Sequence, residues 1–239
     1  MTAIRSVLFV IWLYGAMTAV GIVYAPIACF SRKGALGAGR SWTRLMLFGA
    51  RWIMGIRVIF KDRHKLPPGP VIVASKHQSM LDTLVPFLLL PDPAFVLKEE
   101  LLKAPIFGWY AQRMGMIPVA REANAAALRA LLKAARPAIE EGRQLFIFPE
   151  GTRRPPGEDG DYKPGVAALY KDLGVPVAPI ALNSGLCWPA KGLIRKPGTV
   201  TIQFLEPIPP GLPRATFMTQ LETTIDQASQ ALLSDRGRP

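Results

Sequence analysis

The chain has 239 residues, enough length for one full hydrophobic core. Half of the residues are apolar, and 29 Lys and Arg against 17 Asp and Glu leave a net charge of +12, which favours an anionic partner: nucleic acid, an acidic lipid surface or a phosphorylated substrate. The two cysteines, Cys29 and Cys187, lie in no CxxC or metal-ligand spacing, which excludes a disulfide framework and fits a reducing cytoplasmic side.

Ser6 to Ser31 carries no charged residue and is flanked by Arg5 and by Arg32-Lys33. An apolar run above ~18 residues is long enough to span a bilayer. Gly15, Gly21 and Pro26 interrupt it, so a full span and a kinked or re-entrant helix both stay open. Gly39 to Gly55 predicts a second helix, with Arg40, Arg44 and Arg51 on a narrow arc and Trp42, Leu45, Phe48 and Trp52 around the rest. A basic stripe on a Trp-containing apolar helix suits the headgroup layer.

From Ile56 the pattern alternates between strand and helix. Arg57–Phe60 and Pro70–Ala74 predict strands, separated by a proline-rich turn. A helix is expected from Ser79 to Leu90, kinked or divided at Pro86. Strands follow at Ala94–Leu97, Met116–Ala120, Gln144–Phe148, Val175–Leu182 and Thr199–Leu205. Between them lie short helices broken at Pro105, a long helix from Glu122 to Glu141, and a helix opened by Pro164 and closed near Gly174. Arg214 to Leu233 is a terminal helix with Phe217, Leu221, Ile225 and Leu232 inward. The whole predicts an α/β fold, a layered mixed sheet flanked by helices, over residues 56–239. An N-terminal membrane-associated two-helix segment, residues 1–55, precedes it.

Four stretches carry the candidate chemistry. The first is Ser75-Lys76-His77-Gln78-Ser79-Met80-Leu81-Asp82. An imidazole near neutral pH with a carboxylate to fix its tautomer is the pair a general base needs. Ser79 to Asp82 also fits a helix-capping box, which would make Asp82 structural. Positions five apart on one helix point about 140° from each other. His77 and Asp82 therefore meet only if His77 precedes the helix and folds back on its first turn. The second stretch is Phe146-Ile147-Phe148-Pro149-Glu150-Gly151-Thr152-Arg153-Arg154, a strand that ends at a proline and is followed by an acid, a glycine, a hydroxyl and two arginine forks. Arginine forks suit phosphate, and ligands of open α/β sheets collect at strand carboxyl ends. Read alone, it is better taken as a polar turn with solvated arginines. The third, Gly115 to Arg121, is a strand leading into a cation, and the fourth, Val175 to Ile180, is apolar and proline-rich.

With these four blocks in this order, the chain resembles the glycerolipid acyltransferases, most closely the bacterial 1-acyl-sn-glycerol-3-phosphate acyltransferases. The resemblance covers about Val71 to Ile180. It implies acyl transfer from a thioester, acyl-CoA or acyl carrier protein, to the free hydroxyl of lysophosphatidic acid, with no other cofactor and no metal. It implies His77 as general base, oriented by Asp82. Arg121 and Arg153, with Lys103, would meet the phosphate, while Glu150 and Gly151 shape the acceptor site and Thr152 assists. The family's asparagine before the histidine is here Lys76. Its charge would draw an acidic substrate or depress the pKa of His77. Membrane lipids are the expected surroundings, at the inner membrane with the catalytic domain on the cytoplasmic side by the positive-inside bias. Two rival readings are a different lysolipid acceptor (lyso-ornithine lipid or lysophosphatidylglycerol) and a non-catalytic basic membrane-binding protein. The absence of a recognisable nucleic-acid motif argues against nucleic acid as partner.

Overall fold

The computed structural model describes residues 1–120, 125–158 and 160–234. The first apolar run forms one helix, α1 (Thr2–Phe30). Ser31 breaks it in an extended conformation, and its hydroxyl accepts from the Gly34 N–H to start α2 (Arg32–Gly49). The second helix thus begins seven residues before the expected Gly39. Glycines at 34, 37 and 39 look like a linker in sequence, but they are where α1 and the sheet domain come close. A Cβ on Gly34 would stand 2.5 Å from the Ile27 side chain, and one on Gly39 3.1 Å from the Phe87 ring. The basic pair opening α2 sits at the unfavourable end of the helix dipole. Arg32 is compensated there by Asp92 at 3.0 Å and Glu141 at 2.6 Å. At its far end α2 loosens into a π-helical turn, Ala50–Met54, closed by Gly55 in the left-handed region.

The two helices pack as an antiparallel hairpin. Trp12 Nε1 donates to the Leu45 carbonyl at 2.8 Å and Trp42 Nε1 to the Leu13 carbonyl at 3.0 Å. Gly49 lets Trp12 lie flat, since a Cβ there would fall 2.3 Å from the indole. Gly49→Ala therefore overpacks a pinned ring. Overpacking costs about 1–3 kcal/mol, against the ~1 kcal/mol that alanine gains over glycine inside a helix. A 2.3 Å approach belongs at the upper end of the first range. Thermal unfolding in detergent should give a Tm several degrees lower, at about 2–4 °C per kcal/mol for this size. An unchanged Tm would mean that the hairpin yields without cost.

Among the described residues seven strands follow: β1 (Ile56–Lys61), β2 (Val71–Ser75), β3 (Pro93–Lys98), β4 (Ile117–Val119), β5 (Gln144–Ile147), β6 (Val177–Leu182) and β7 (Gly198–Phe204). Their order in the sheet is β1-β7-β6-β2-β5-β3-β4. Every pairing is parallel except β6 with β7. This is the mixed, layered sheet the sequence predicts. The helix expected over Ser79–Leu90 is divided at Pro86 into α3 (Leu81–Leu84) and α4 (Pro86–Leu89). The remaining helices are α5 (Phe107–Arg113), α6 (Ala125–Glu140), α7 (Pro164–Leu173) and α8 (Arg214–Ser234).

Strand periodicity divides the core in two. Val71 and Val73 of β2, with Phe146 of β5, face a cluster built from α1, α2 and α5, including Phe9, Trp42, Met46 and Tyr110. Ile72 and Ala74, with Leu145 and Ile147, face a second cluster containing Leu131, Leu169, Phe217 and Ile225 of α6, α7 and α8. β2 is buried on both faces, which accounts for its unbroken apolar run. The N-terminal hairpin is thus one of the layers covering the sheet and shares its core.

Its outer surface is apolar as well. Ile4, Val7, Leu8, Ile11 and Tyr14 recur at helical spacing and are half or more exposed, and Ile22, Val23, Ile27 and Phe30 continue the stripe. Among the described residues, α1 is the one helix long and apolar enough to cross a membrane. A soluble amphipathic helix would present charge on this face; α1 presents hydrocarbon, as a membrane-associated helix does. The basic stripe expected on the second helix is only partly available to lipid. Arg40 is turned inward to the carbonyls of Phe87 and Pro91, whereas Arg44 and Arg51 are exposed beside Phe48 and Trp52.

Candidate active site

The parallel strands bring their carboxyl ends to one edge, and the chemistry-bearing side chains follow those ends. Lys76 N–H extends the β2 ladder by one bond to the Ile180 carbonyl, after which the chain leaves the sheet. The turn that follows is organised by Asp82, which is buried in the first turn of α3. Its Oδ2 accepts the N–H groups of Gln78 at 2.7 Å and Ser79 at 2.8 Å, and its Oδ1 accepts the Ser79 hydroxyl at 3.2 Å. The Ser79 hydroxyl in turn accepts from Leu81 N–H at 3.1 Å. The Asp82-to-Ser79 half of the predicted capping box is thus present, whereas the Ser79 hydroxyl meets Leu81 N–H in place of Asp82 N–H, and Met80, not Ser79, is the N-cap of α3.

Capping also delivers the histidine. His77 lies before the helix, and its Nδ1 stands 3.3 Å from Asp82 Oδ2. The imidazole stacks on Phe148, with centroids 3.8 Å apart and planes at 15°. The His77 side chain keeps 13% of its surface exposed, while Asp82 keeps none. With Nδ1 directed at the carboxylate, Nε2 is the nitrogen left to exchange a proton with a ligand. Asp82 is anchored by donors of its own and can stabilise an imidazolium without moving.

The turn after β5 grips the backbone on both sides of that ring. Glu150 Oε2 accepts His77 N–H at 3.1 Å, and Arg154 N–H donates to the His77 carbonyl at 2.8 Å. Gly151 adopts φ 63°, which favours glycine, and its N–H bonds back to the Phe148 carbonyl at 3.0 Å. Glu150 consequently faces inward and is buried, whereas Gly151, Thr152 and Arg153 are exposed. Gln78 Oε1 accepts Gly185 N–H at 3.0 Å, tying the segment after β6 to the same turn.

Lys76 is not an open cation. Its ammonium lies 2.8 Å from Glu150 Oε1 and 2.7 Å from Asp226 Oδ1 of α8, and its side chain is 3% exposed. Burial works against its charge, but the two carboxylates outweigh it and hold the ammonium above its ordinary pKa. The expected attraction of an acidic substrate by this residue is therefore not available: the side chain points into the protein. Burial pushes the Glu150 carboxyl up, and Lys76 pulls it back. Tyr162 completes the group, its hydroxyl 3.3 Å from Asp226 Oδ1. Burial, aided by Asp226 and Glu150, drives its phenol far up, so it stays a neutral donor.

Of the site residues predicted from sequence, the fold brings His77, Asp82 and Glu150 into one hydrogen-bonded unit and lines up Gly151, Thr152 and Arg153 beside it. Lys103 is exposed in the helical turn Glu99–Lys103 that leaves the same end of β3. Arg121 lies outside the described residues. Phe148, Gln78 and Asp226 escape sequence reasoning. Phe148 and Gln78 read as ordinary strand-end and loop residues, and a carboxylate on a terminal helix reads as solvated. The one available signal is Lys76 itself, a cation joined directly to a fully buried strand, which requires an acid nearby. Among the described residues no cluster of His, Cys, Asp or Glu has a metal-binding arrangement.

Comparison with known proteins adds independent findings. Residues 57–183 match the family model described as Acyltransferase. A 1-acyl-sn-glycerol-3-phosphate acyltransferase of Pseudomonas aeruginosa is 34% identical over 84% of this chain and 79% of its own length. The alpha 1-acyl-sn-glycerol-3-phosphate acyltransferase of Mus musculus is 32% identical over 69% of this chain, which spans only 59% of that longer protein. In fold, the chain is similar to the crystal structure of the 1-acyl-sn-glycerophosphate (LPA) acyltransferase from Thermotoga maritima. That match has a TM-score of 0.78 over 100% of both chains at 22% identity.

Proposed function

Because the chain belongs to the acyltransferase family, we propose that it acylates the free sn-2 hydroxyl of 1-acylglycerol-3-phosphate, giving phosphatidic acid. The acyl donor is a thioester, of CoA or of acyl carrier protein. His77 Nε2 takes the hydroxyl proton as the oxygen attacks the thioester carbonyl carbon. The tetrahedral adduct then breaks its C–S bond, and the proton passes from the imidazolium to the departing thiolate. Asp82 holds the ring and offsets its positive charge, the acid-base logic of a triad without an enzyme nucleophile. Arg153, Thr152 and Gly151 receive the acceptor's phosphate, with Lys103 and Arg121 as further cations. Glu150 shapes the acceptor site from behind, by holding His77.

The observation that carries this reading is the His77–Asp82 pair, with one ring nitrogen free, at a strand edge where exposed arginine follows. The apolar outer face of α1 supports delivery of a membrane-dissolved lysolipid to it. The excess positive charge and the flank Arg32-Lys33 favour the cytoplasmic side of the inner membrane.

The test is acyl transfer by purified protein in detergent or vesicles, with lysophosphatidic acid compared against lysophosphatidylglycerol and lyso-ornithine lipid. Lysophosphatidic acid should be preferred. Arg153→Ala should raise KM for lysophosphatidic acid more than KM for the acyl donor, because a phosphate loses a charge-assisted partner and the thioester does not. Equal effects on both substrates would remove Arg153 from the phosphate site, and preference for another lysolipid would replace the acceptor named here.

A further inference from the structure

The buried ion cluster behind the histidine invites a role of its own. Three elements far apart in sequence meet there: the end of β2 through Lys76, the turn after β5 through Glu150, and α8 through Asp226. Lys76 Nζ also donates to the Glu158 carbonyl at 3.3 Å, so a third oxygen holds it in place. The space is tight: a Cβ on Gly160 would lie 2.7 Å from Glu150 Oε1. Glu150 is therefore held at one oxygen by the ammonium, while its other oxygen accepts the backbone N–H of His77.

We propose that Lys76 and Asp226 are positioning residues for the base: Asp226 orients Lys76, Lys76 fixes Glu150, and Glu150 sets the backbone of His77. This rests on the reading of His77 as general base. The argument is one of charge. A single ammonium serves two carboxylates, so the cluster carries one net negative charge. Removing the ammonium leaves two buried like charges facing each other, which drives them apart or protonates one. Either way Glu150 loses its fixed place, and a displacement of about 1 Å can cost roughly 10²-fold in rate. Removing the Asp226 charge together with that of Lys76 returns the cluster to one negative charge. With asparagine at both positions, Glu150 no longer faces a second carboxylate.

The test uses the full chain in detergent, labelled with ¹⁵N-histidine. The chain has two histidines, and His64 is exposed in the turn after β1, so it serves as an internal control. Lys76→Asn should displace or broaden the His77 imidazole resonance, leave that of His64 in place, and lower kcat by about 10²-fold with little change in KM. Asp226→Ala, which keeps the Lys76–Glu150 pair, should shift the same resonance by less. The double variant K76N/D226N should recover the His77 resonance and most of kcat. Wild-type resonance and kcat in folded Lys76→Asn, or in Asp226→Ala if Lys76→Asn cannot be purified, would overturn the assignment. So would a double variant no better than Lys76→Asn, the outcome of lost packing alone. If the unmodified protein transfers no acyl group to lysophosphatidic acid, the functional reading fails, while the resonances still decide the positioning.

Discussion

His77→Ala should lower kcat by about 10²–10⁴-fold, the usual contribution of a general base. At 1.36 kcal/mol per decade this is about 3–5 kcal/mol of barrier. KM for either substrate should change little, since the ring contributes proton transfer and not the phosphate contact. The fold should survive the loss of the Phe148 stack, because the hydrogen bonds that hold the turn do not use the imidazole. Asp82 keeps its bonds from Gln78, Ser79 and the Ser79 hydroxyl, and the His77 backbone groups still meet Glu150 and Arg154. Steady-state acyl transfer with circular dichroism on the same preparation checks both halves. A folded variant with near-normal turnover would remove His77 from the chemistry.

Asp82→Asn should separate two roles carried by one carboxylate. An asparagine oxygen can still accept from Gln78 and Ser79, and the Ser79 hydroxyl can turn to accept from the new amide. Capping is then mostly retained, and its partial loss costs about 1 kcal/mol of stability. The imidazolium, by contrast, loses the negative charge its ring contacts, because the oxygen that stays at the Oδ2 position is then neutral. We expect kcat to fall about as far as for His77→Ala, ~10²–10⁴-fold, with Tm lowered by only a few degrees. Wild-type turnover in folded Asp82→Asn would leave Asp82 as a helix cap and nothing more.

Much of this was legible in the sequence because the relevant interactions are local. His77, Ser79 and Asp82 are linked through one turn, and helix geometry alone requires the histidine to stand outside α3. Strand identities followed from apolar runs that are unbroken because β2, β5 and β6 are covered on both faces. What was not legible depends on contacts between distant segments. The start of α2 was hidden because glycines that permit close helix packing look the same as glycines in a linker. The inward turn of Arg40 depends on the carbonyl ends of α4, which no period reveals. Glu150 reads as a ligand-facing acid until the left-handed Gly151 is seen to separate it from the exposed residues that follow. Lys76, read from sequence as an attraction for acidic substrate or an influence on His77, could not be placed without Asp226, which reaches it from α8.

The sheet order carries a consequence for how the chain is made. Among the described residues, β1 is joined to the sheet only through β7, pairing Ile56 with Gly198 and Lys61 with Gln203. That edge cannot close until β7, Gly198–Phe204, has left the ribosome. β2, which bears the histidine, likewise waits for both β5 and β6. Such distant pairings form late, since loop closure precedes any gain from them. α1 and α2, which pack on each other as well as on the sheet, precede it in the chain and can meet the bilayer while it is incomplete. A hairpin that reaches lipid first would have the sheet completed beside the surface that the apolar face of α1 suits.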